Sequence, residues 1–225
     1  MNAFDIAIYG HLSFDNIYEG FNYKSSVGCM GNVWKFLKFK HPDLNIKLEP
    51  TDIGESLIMV DVEHSKRTSI SRLSLKTKQP TIHDAKINHV MYLNELSDCS
   101  FIKQLNGITV ADTCNGKPLE LNKDVLNYVD ILLISDEDLN VSIEALTSLV
   151  RKYVIVHYPG GSTLCSKVNE KINFKAEFVP NVNVLGAGDK FAASILAGLD
   201  NYHSIDKVIQ EAHNSLTDYF KNEKI

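Results

Sequence analysis

The chain opens on Phe4-Asp5-Ile6-Ala7-Ile8-Tyr9, a run apolar at nearly every position that stops at Gly10. Near-continuous apolarity over so few residues predicts a strand buried on both faces. From Gly28 to Phe39 the period changes: Val33, Phe36 and Leu37 recur at helical spacing, with lysines opposite. Ser56–Val62 and Arg67–Leu75 then alternate and carry Ile, Val and Thr. They predict two antiparallel strands joined at Glu63-His64-Ser65-Lys66, with one face wet.

Beyond these the pattern becomes regular. Short apolar runs at His89–Leu93, Ile108–Ala111, Asp130–Ile134 and Tyr153–His157 predict strands. Helical periods at Ser97–Leu105, Val141–Arg151, Asp189–Leu199 and Ile205–Lys221 separate or follow them. Strand and helix in alternation imply βα units, a mostly parallel sheet and helices on both faces. The early antiparallel pair lies outside that rhythm and reads as a flap. In such sheets ligands sit beyond the carboxyl ends of the strands, so the loops there are where chemistry is expected.

Composition adds bounds. A length of 225 residues, 44% hydrophobic and 23% charged, suits one globular domain with a sizeable core. A formal net charge of −5 with scattered lysines argues against a nucleic-acid surface. Cys29, Cys99, Cys114 and Cys165 lie far apart without metal-ligand spacing, which fits reduced thiols rather than a zinc site or disulfide framework. No run approaches the roughly 20 apolar residues that cross a bilayer, and the first ten residues do not resemble a secretory leader. A cytoplasmic protein is expected, and no repeat or low-complexity tract interrupts it.

The sharpest chemical feature is Gly186-Ala187-Gly188-Asp189, followed by Lys190 to Leu199 with Phe191, Ile195 and Leu199 on one helical face. The glycines therefore open a helix, where unpaired amides and the positive dipole end attract an anion. Asp189 at that mouth is placed to take a hydroxyl proton as a phosphoryl group arrives. The same four residues also suit an ordinary helix cap, and the sequence alone leaves both uses open.

GAGDKFAASILAGL resembles the C-terminal signature of the ribokinase-like (PfkB) carbohydrate and nucleoside kinases. Tyr9-Gly10-His11-Leu12-Ser13-Phe14-Asp15 resembles that family's opening strand, and Gly28-Cys29-Met30-Gly31-Asn32 the end of its GGxxxN motif. The resemblance implies an α/β ribokinase-like fold over residues 1–225, with a central mostly parallel sheet flanked by helices and a small β lid formed by parts of 15–27 and 56–75. It implies transfer of the γ-phosphoryl group of ATP, with Mg2+, to a hydroxyl of a sugar, nucleoside or related polyol. Asp189 would be the general base and Gly186, Ala187 and Gly188 the anion hole. Asp15, Gly28 and Asn32 would serve the acceptor, Gly161 and Asn214 the nucleotide, and Asp138 the metal. Relatives use the lid to cover the sugar and sometimes to pair subunits, which implies a possible homodimer.

The chain departs from the family in four places. Ser135-Asp136-Glu137-Asp138 stands where relatives have Asn-x-x-Glu, Val27 replaces the first glycine of GGxxxN, and Asn183 replaces an aspartate that helps build a monovalent-cation site. The chain is also short, and the shortening falls around Leu48–Ser56, where a turn is expected. The altered metal loop favours a rival reading, a sugar- or nucleotide-binding sensor or structural subunit with weak catalysis. A doubly wound nucleotide-binding protein unrelated to kinases is a third. Asp112 is a strand-end carboxylate, Trp34 reads as core, and the dispersed histidines read as packing or surface.

Overall fold

A computed structural model describes residues 3–76, 79–113, 123–168, 170–201 and 204–223; Cys114 lies outside them. The described strands are β1 (Phe4–Glu19), β2 (Asn22–Cys29), β3 (Ile46–Asp61), β4 (Lys66–Lys76), β5 (Ala85–Met91), β6 (Ile108–Asp112), β7 (Ile131–Ser135), β8 (Tyr153–Tyr158), β9 (Gly161–Ser166) and β10 (Lys171–Lys175). They form one sheet in the order β10-β9-β8-β7-β6-β5-β1-β3-β4, with β2 pairing β1 off that path. The strands from β8 through β3 in that order run parallel, while β9, β10, β4 and β2 are antiparallel additions.

The helices are α1 (Met30–Lys40), α2 (Lys123–Leu126), α3 (Ile143–Leu149), α4 (Ala187–Asp200) and α5 (Ile205–Glu223). Alternation along β1 divides the core. Ile6 and Ile8 face α1, α4 and α5, whose Leu37, Ile195 and Ile209 belong to the same apolar cluster. Ala7 and Tyr9 face the other way, toward Phe101, Leu126 and Leu146. A period of two on the strand and 3.6 on the helices therefore gives a three-layer α/β domain. Among the described residues no helix is long and apolar enough to cross a membrane.

Two expectations are corrected here. The first strand does not end at Gly10. Gly10 adopts φ +133°, and a Cβ there would lie 1.5 Å from the Met91 carbonyl oxygen, so only glycine lets the strand bend against β5. β1 pairs β5 up to Gly10, then continues and pairs β2 from Leu12 onward. Nor is Leu48–Ser56 a turn: it lies within β3, which follows β1 through a register shift at Gly10/His11. The lid is thus the outer half of strands that begin in the core. Ile17, Ile58 and Val60 form its inner cluster, with Leu185 packed against them.

The sequence-expected helix at Ser97–Leu105 is a 3-10 turn, Ser100–Gln104. That at Val141–Arg151 narrows to α3, where the Ser142 hydroxyl accepts from the Ala145 amide as a cap.

Candidate active site

The carboxyl ends of the parallel strands, the start of α4 and the inner face of the lid enclose a cleft of about 560 Å³. Asp189 lines it, 3% exposed. Gly186 takes a left-handed φ of 71° as the residue before α4, which turns the chain into the helix. The Ala187 amide donates to the Val184 carbonyl oxygen at 3.0 Å, so it is spent on the turn. The amides of Gly188 and Asp189 fall in the first turn, where a helix offers no acceptor. An anion hole here would draw on Gly186, Gly188 and Asp189 rather than on Ala187, which corrects one member of the expected set.

Both oxygens of Asp189 are held. The Tyr92 hydroxyl donates to Oδ1 at 2.6 Å, and Asn32 Nδ2 donates to Oδ2 at 2.7 Å. Asn32 comes from α1 and Tyr92 from the end of β5, so three elements distant in sequence converge on one carboxylate. Asp15 lies in the lid half of β1, buried, with the Ser13 hydroxyl donating to its Oδ1 at 2.6 Å. Burial pushes its carboxyl above the usual range, and the nearby charge of Asp189 acts in the same direction. Gly28 makes room for it: a Cβ there would lie 1.9 Å from Asp15 Oδ2. Deeper in, His11 Nδ1 lies 2.7 Å from Glu95 Oε2, and both residues line the cleft.

An apolar part of the cleft lining comes from Tyr158, Phe178, Val182, Leu216 and Phe220. Gly161 lines the cleft as well, packed so that a Cβ would reach within 2.1 Å of the Phe174 carbonyl oxygen. Asn214 does not line the cleft. It is exposed and accepts from Gln210 Nε2 at 3.3 Å, whereas its neighbour His213 turns inward and pairs with the Ser162 hydroxyl at 2.8 Å. Burial pushes the imidazoles of His157 and His213 down to about 4.

Carboxylates dominate the rest of the wall. Asp138 lines it from the 3-10 turn Asp136–Asp138, beside Asp136 and Glu137. Asp112 lies at the end of β6, 4% exposed, and burial pushes its carboxyl well above the usual range, with Asp189 and Asp138 adding to the effect. Lys66 and Arg67, both from the start of β4, are the lysine and arginine among the described lining residues. Among the described residues no group of three or more His, Cys, Asp or Glu is gathered to hold a metal ion. Magnesium does not require one, since it takes one or two carboxylates and completes its shell with water and phosphate oxygens.

Sequence reasoning missed Tyr92, His11, Glu95 and His213. The signal for Glu95 was its place just beyond the expected strand His89–Leu93, where a parallel sheet presents its ligand-facing loops.

No protein-family model matches the chain, and no curated protein matches its sequence. Solved structures do match. Adenosine kinase from Sinorhizobium meliloti is similar over 93% of this chain and 91% of that one, at 14% identity and a TM-score of 0.74. Ribokinase from Thermotoga maritima is similar over 95% and 93%, at 18% identity and 0.70. The nucleoside kinase of Methanocaldococcus jannaschii is similar over 98% and 92%, at 17% identity and 0.68. The backbone of this chain, from the bent first strand to the glycine-opened α4, has the ribokinase-like fold.

Proposed function

We propose that the protein is an ATP-dependent phosphotransferase acting on an alcohol of a sugar, nucleoside or related polyol. The observation that carries this reading is the setting of Asp189: a buried carboxylate at the opening of α4, beside amides without helical acceptors and fixed by Tyr92 and Asn32. A carboxylate accepts at about four lone-pair positions, so Asp189 keeps capacity for an acceptor hydroxyl. It takes that proton as the hydroxyl oxygen bonds to the γ-phosphorus. The bond from that phosphorus to the bridging oxygen breaks, and ADP leaves with the electron pair. The amides of Gly186, Gly188 and Asp189 stabilise the charge on the transferring group.

Asp15 and Asn32 hold the acceptor's neighbouring hydroxyls. Asn32 donates to Asp189 through Nδ2, which leaves its Oδ1 for the substrate. The apolar part of the cleft lining suits a nucleobase. A triphosphate entering a wall so rich in carboxylates needs counter-charge, and magnesium on Asp138 and Asp112 would supply it by shielding the phosphates.

The rival reading is a ligand-binding sensor with weak catalysis, and the acidic Asp136–Asp138 turn in place of Asn-x-x-Glu is what favours it. Titration with magnesium-ATP followed by a screen of sugars and nucleosides separates the two. Turnover with any acceptor supports the kinase; tight acceptor binding without turnover supports the sensor; neither sinks both.

We also propose that the outer lid face pairs two copies. Phe14, Tyr18, Leu57, Met59 and Ile70 are exposed on the lid strands. A stable interface buries about 1,200–2,000 Å² in total. Leu57→Glu with Met59→Lys should then halve the mass seen by light scattering. A wild type already monomeric at micromolar concentration ends the idea.

A further inference from the structure

Helix α4 begins with a charge where electrostatics disfavours it. The N-terminal turn carries partial positive charge, which favours anions there and repels cations. Lys190 is nevertheless the fourth residue of α4. Its side chain folds back past the helix start instead of running into solvent. Nζ donates to the Leu185 carbonyl oxygen at 3.0 Å and sits 4.7 Å from the centre of the Tyr219 ring. The same nitrogen lies 3.4 Å from the point a Cβ on Gly186 would occupy.

The backbone of Lys190 reaches the same turn, its amide donating to the Gly186 carbonyl oxygen at 2.9 Å. One residue thus grips the carbonyls on both sides of Gly186, the glycine that makes the left-handed bend. Leu185, Gly186, Ala187, Gly188 and Asp189 line the cleft, and Lys190 does not. The ammonium therefore does not line the cleft, although the point a Gly186 Cβ would occupy lies as close to Asn32 Nδ2 and Asp189 Oδ2, at 3.3 and 3.4 Å. In a planar trans peptide the carbonyl and the next N–H point in opposite directions. A cation on the Leu185 oxygen accordingly deepens the dipole whose positive end is the Gly186 N–H. The lysine and arginine among the described lining residues belong to β4, so Lys190 is a cation that α4 itself brings to the loop.

We propose that Lys190 is a positioning residue for phosphate: its ammonium, seated on the Leu185 carbonyl and the Tyr219 ring, polarises the Leu185–Gly186 peptide and holds the loop amides toward a phosphoryl group. This rests on the reading of the Gly186–Asp189 loop as a phosphate site and extends it to a residue that touches no substrate.

The test separates charge from packing. Inorganic pyrophosphate, without metal, is titrated into wild type, K190M, K190R and K190A by calorimetry. K190M keeps the length of the side chain and its seat over Tyr219 but removes the cation. It should bind pyrophosphate roughly three- to thirty-fold more weakly, the range for a partly buried charge at a helix N-terminus, while K190R stays within about threefold of wild type. K190A should behave like K190M and regain affinity when methylammonium is added. Should K190M not fold, K190Q makes the same comparison. Equal affinity in wild type and the neutral variants, including no binding by any of them, overturns the proposal, as does weakening in K190A that methylammonium cannot reverse. A wild type that binds pyrophosphate but never turns over magnesium-ATP removes the phosphotransferase reading, and the same titrations still decide the role of Lys190.

Discussion

Asp189→Asn is the perturbation that isolates the proposed base. In the wild type the Tyr92 hydroxyl and Asn32 Nδ2 both donate to the carboxylate, at 2.6 and 2.7 Å. An amide offers only one acceptor oxygen, so one of these bonds meets a donor. Asn32 can resolve the conflict by rotating its own amide to present its oxygen to the new NH2, leaving Tyr92 on the new carbonyl. Two charge-assisted bonds become neutral ones, a loss of roughly 1–1.5 kcal/mol each. Against that, a carboxylate 3% exposed no longer needs desolvating, and its repulsion of Asp15 and Asp112 ends. The two effects oppose each other, so the unfolding free energy should stay within about 2 kcal/mol of wild type. Turnover should not survive, because general-base catalysis contributes about 10²–10⁴-fold. The assay is steady-state phosphoryl transfer from magnesium-ATP with the acceptor found by screening, alongside urea unfolding and ATP binding. A folded mutant that binds ATP and keeps more than about a tenth of wild-type turnover would refute the assignment of Asp189.

Tyr92→Phe keeps the ring packing but removes the bond to Asp189 Oδ1, and should lower kcat by about 10- to 150-fold, the worth of a charge-assisted bond; unchanged kcat would show that Asn32 alone orients the base. Gly28→Ala must displace the Asp15 carboxylate, which a Cβ would approach to 1.9 Å, so the acceptor KM should rise more than the ATP KM, and an equal rise in both counts against Asp15 as an acceptor ligand. Asp112→Asn should raise the melting temperature at pH 7 while lowering turnover. The folded carboxyl is raised by burial, so above the unfolded value near 4 the folded state gives up its proton less readily, and the carboxylate costs stability that the amide does not; a lower melting temperature contradicts this. His89 runs the other way: fully buried, with its imidazole pushed down to about 4 from 6.5, it leaves stability complete above pH 6.5 and removes up to about 3 kcal/mol as pH falls toward 4. His89→Gln should flatten that part of the stability curve, and an unchanged slope would place the proton uptake elsewhere.

What the sequence made legible, and what it hid, follows from which forces are local. Helix α4 and its opening were legible because a 3.6-residue period after two glycines is written in adjacent residues, and Asp189 came with it. The course of β1 was not. Gly10 reads as a stop, yet its positive φ answers a carbonyl of Met91, a neighbour that only the folded sheet supplies. Past that bend β1 turns Ser13 and Asp15 inward beside the apolar Ile17, and Phe14 and Tyr18 outward, so polar residues take much of its buried face and aromatic ones much of its exposed face. This departs from the alternation by which strands are read, because the inner face lines the cleft instead of a core. Tyr92 was invisible for a related reason: its partner lies 97 residues away, and a tyrosine beside a buried strand reads as core. Asn214 was a different kind of miss, and a recoverable one. Ile209, Ala212, Leu216 and Phe220 mark the inward stripe of α5, and residue 213 shares it while 214 falls outside. The inward polar residue on that helix had to be His213, where it meets Ser162 and lines the cleft. Periodicity therefore carries information about sites as well as cores: a polar side chain on an apolar stripe near a glycine-opened helix is the one to test first.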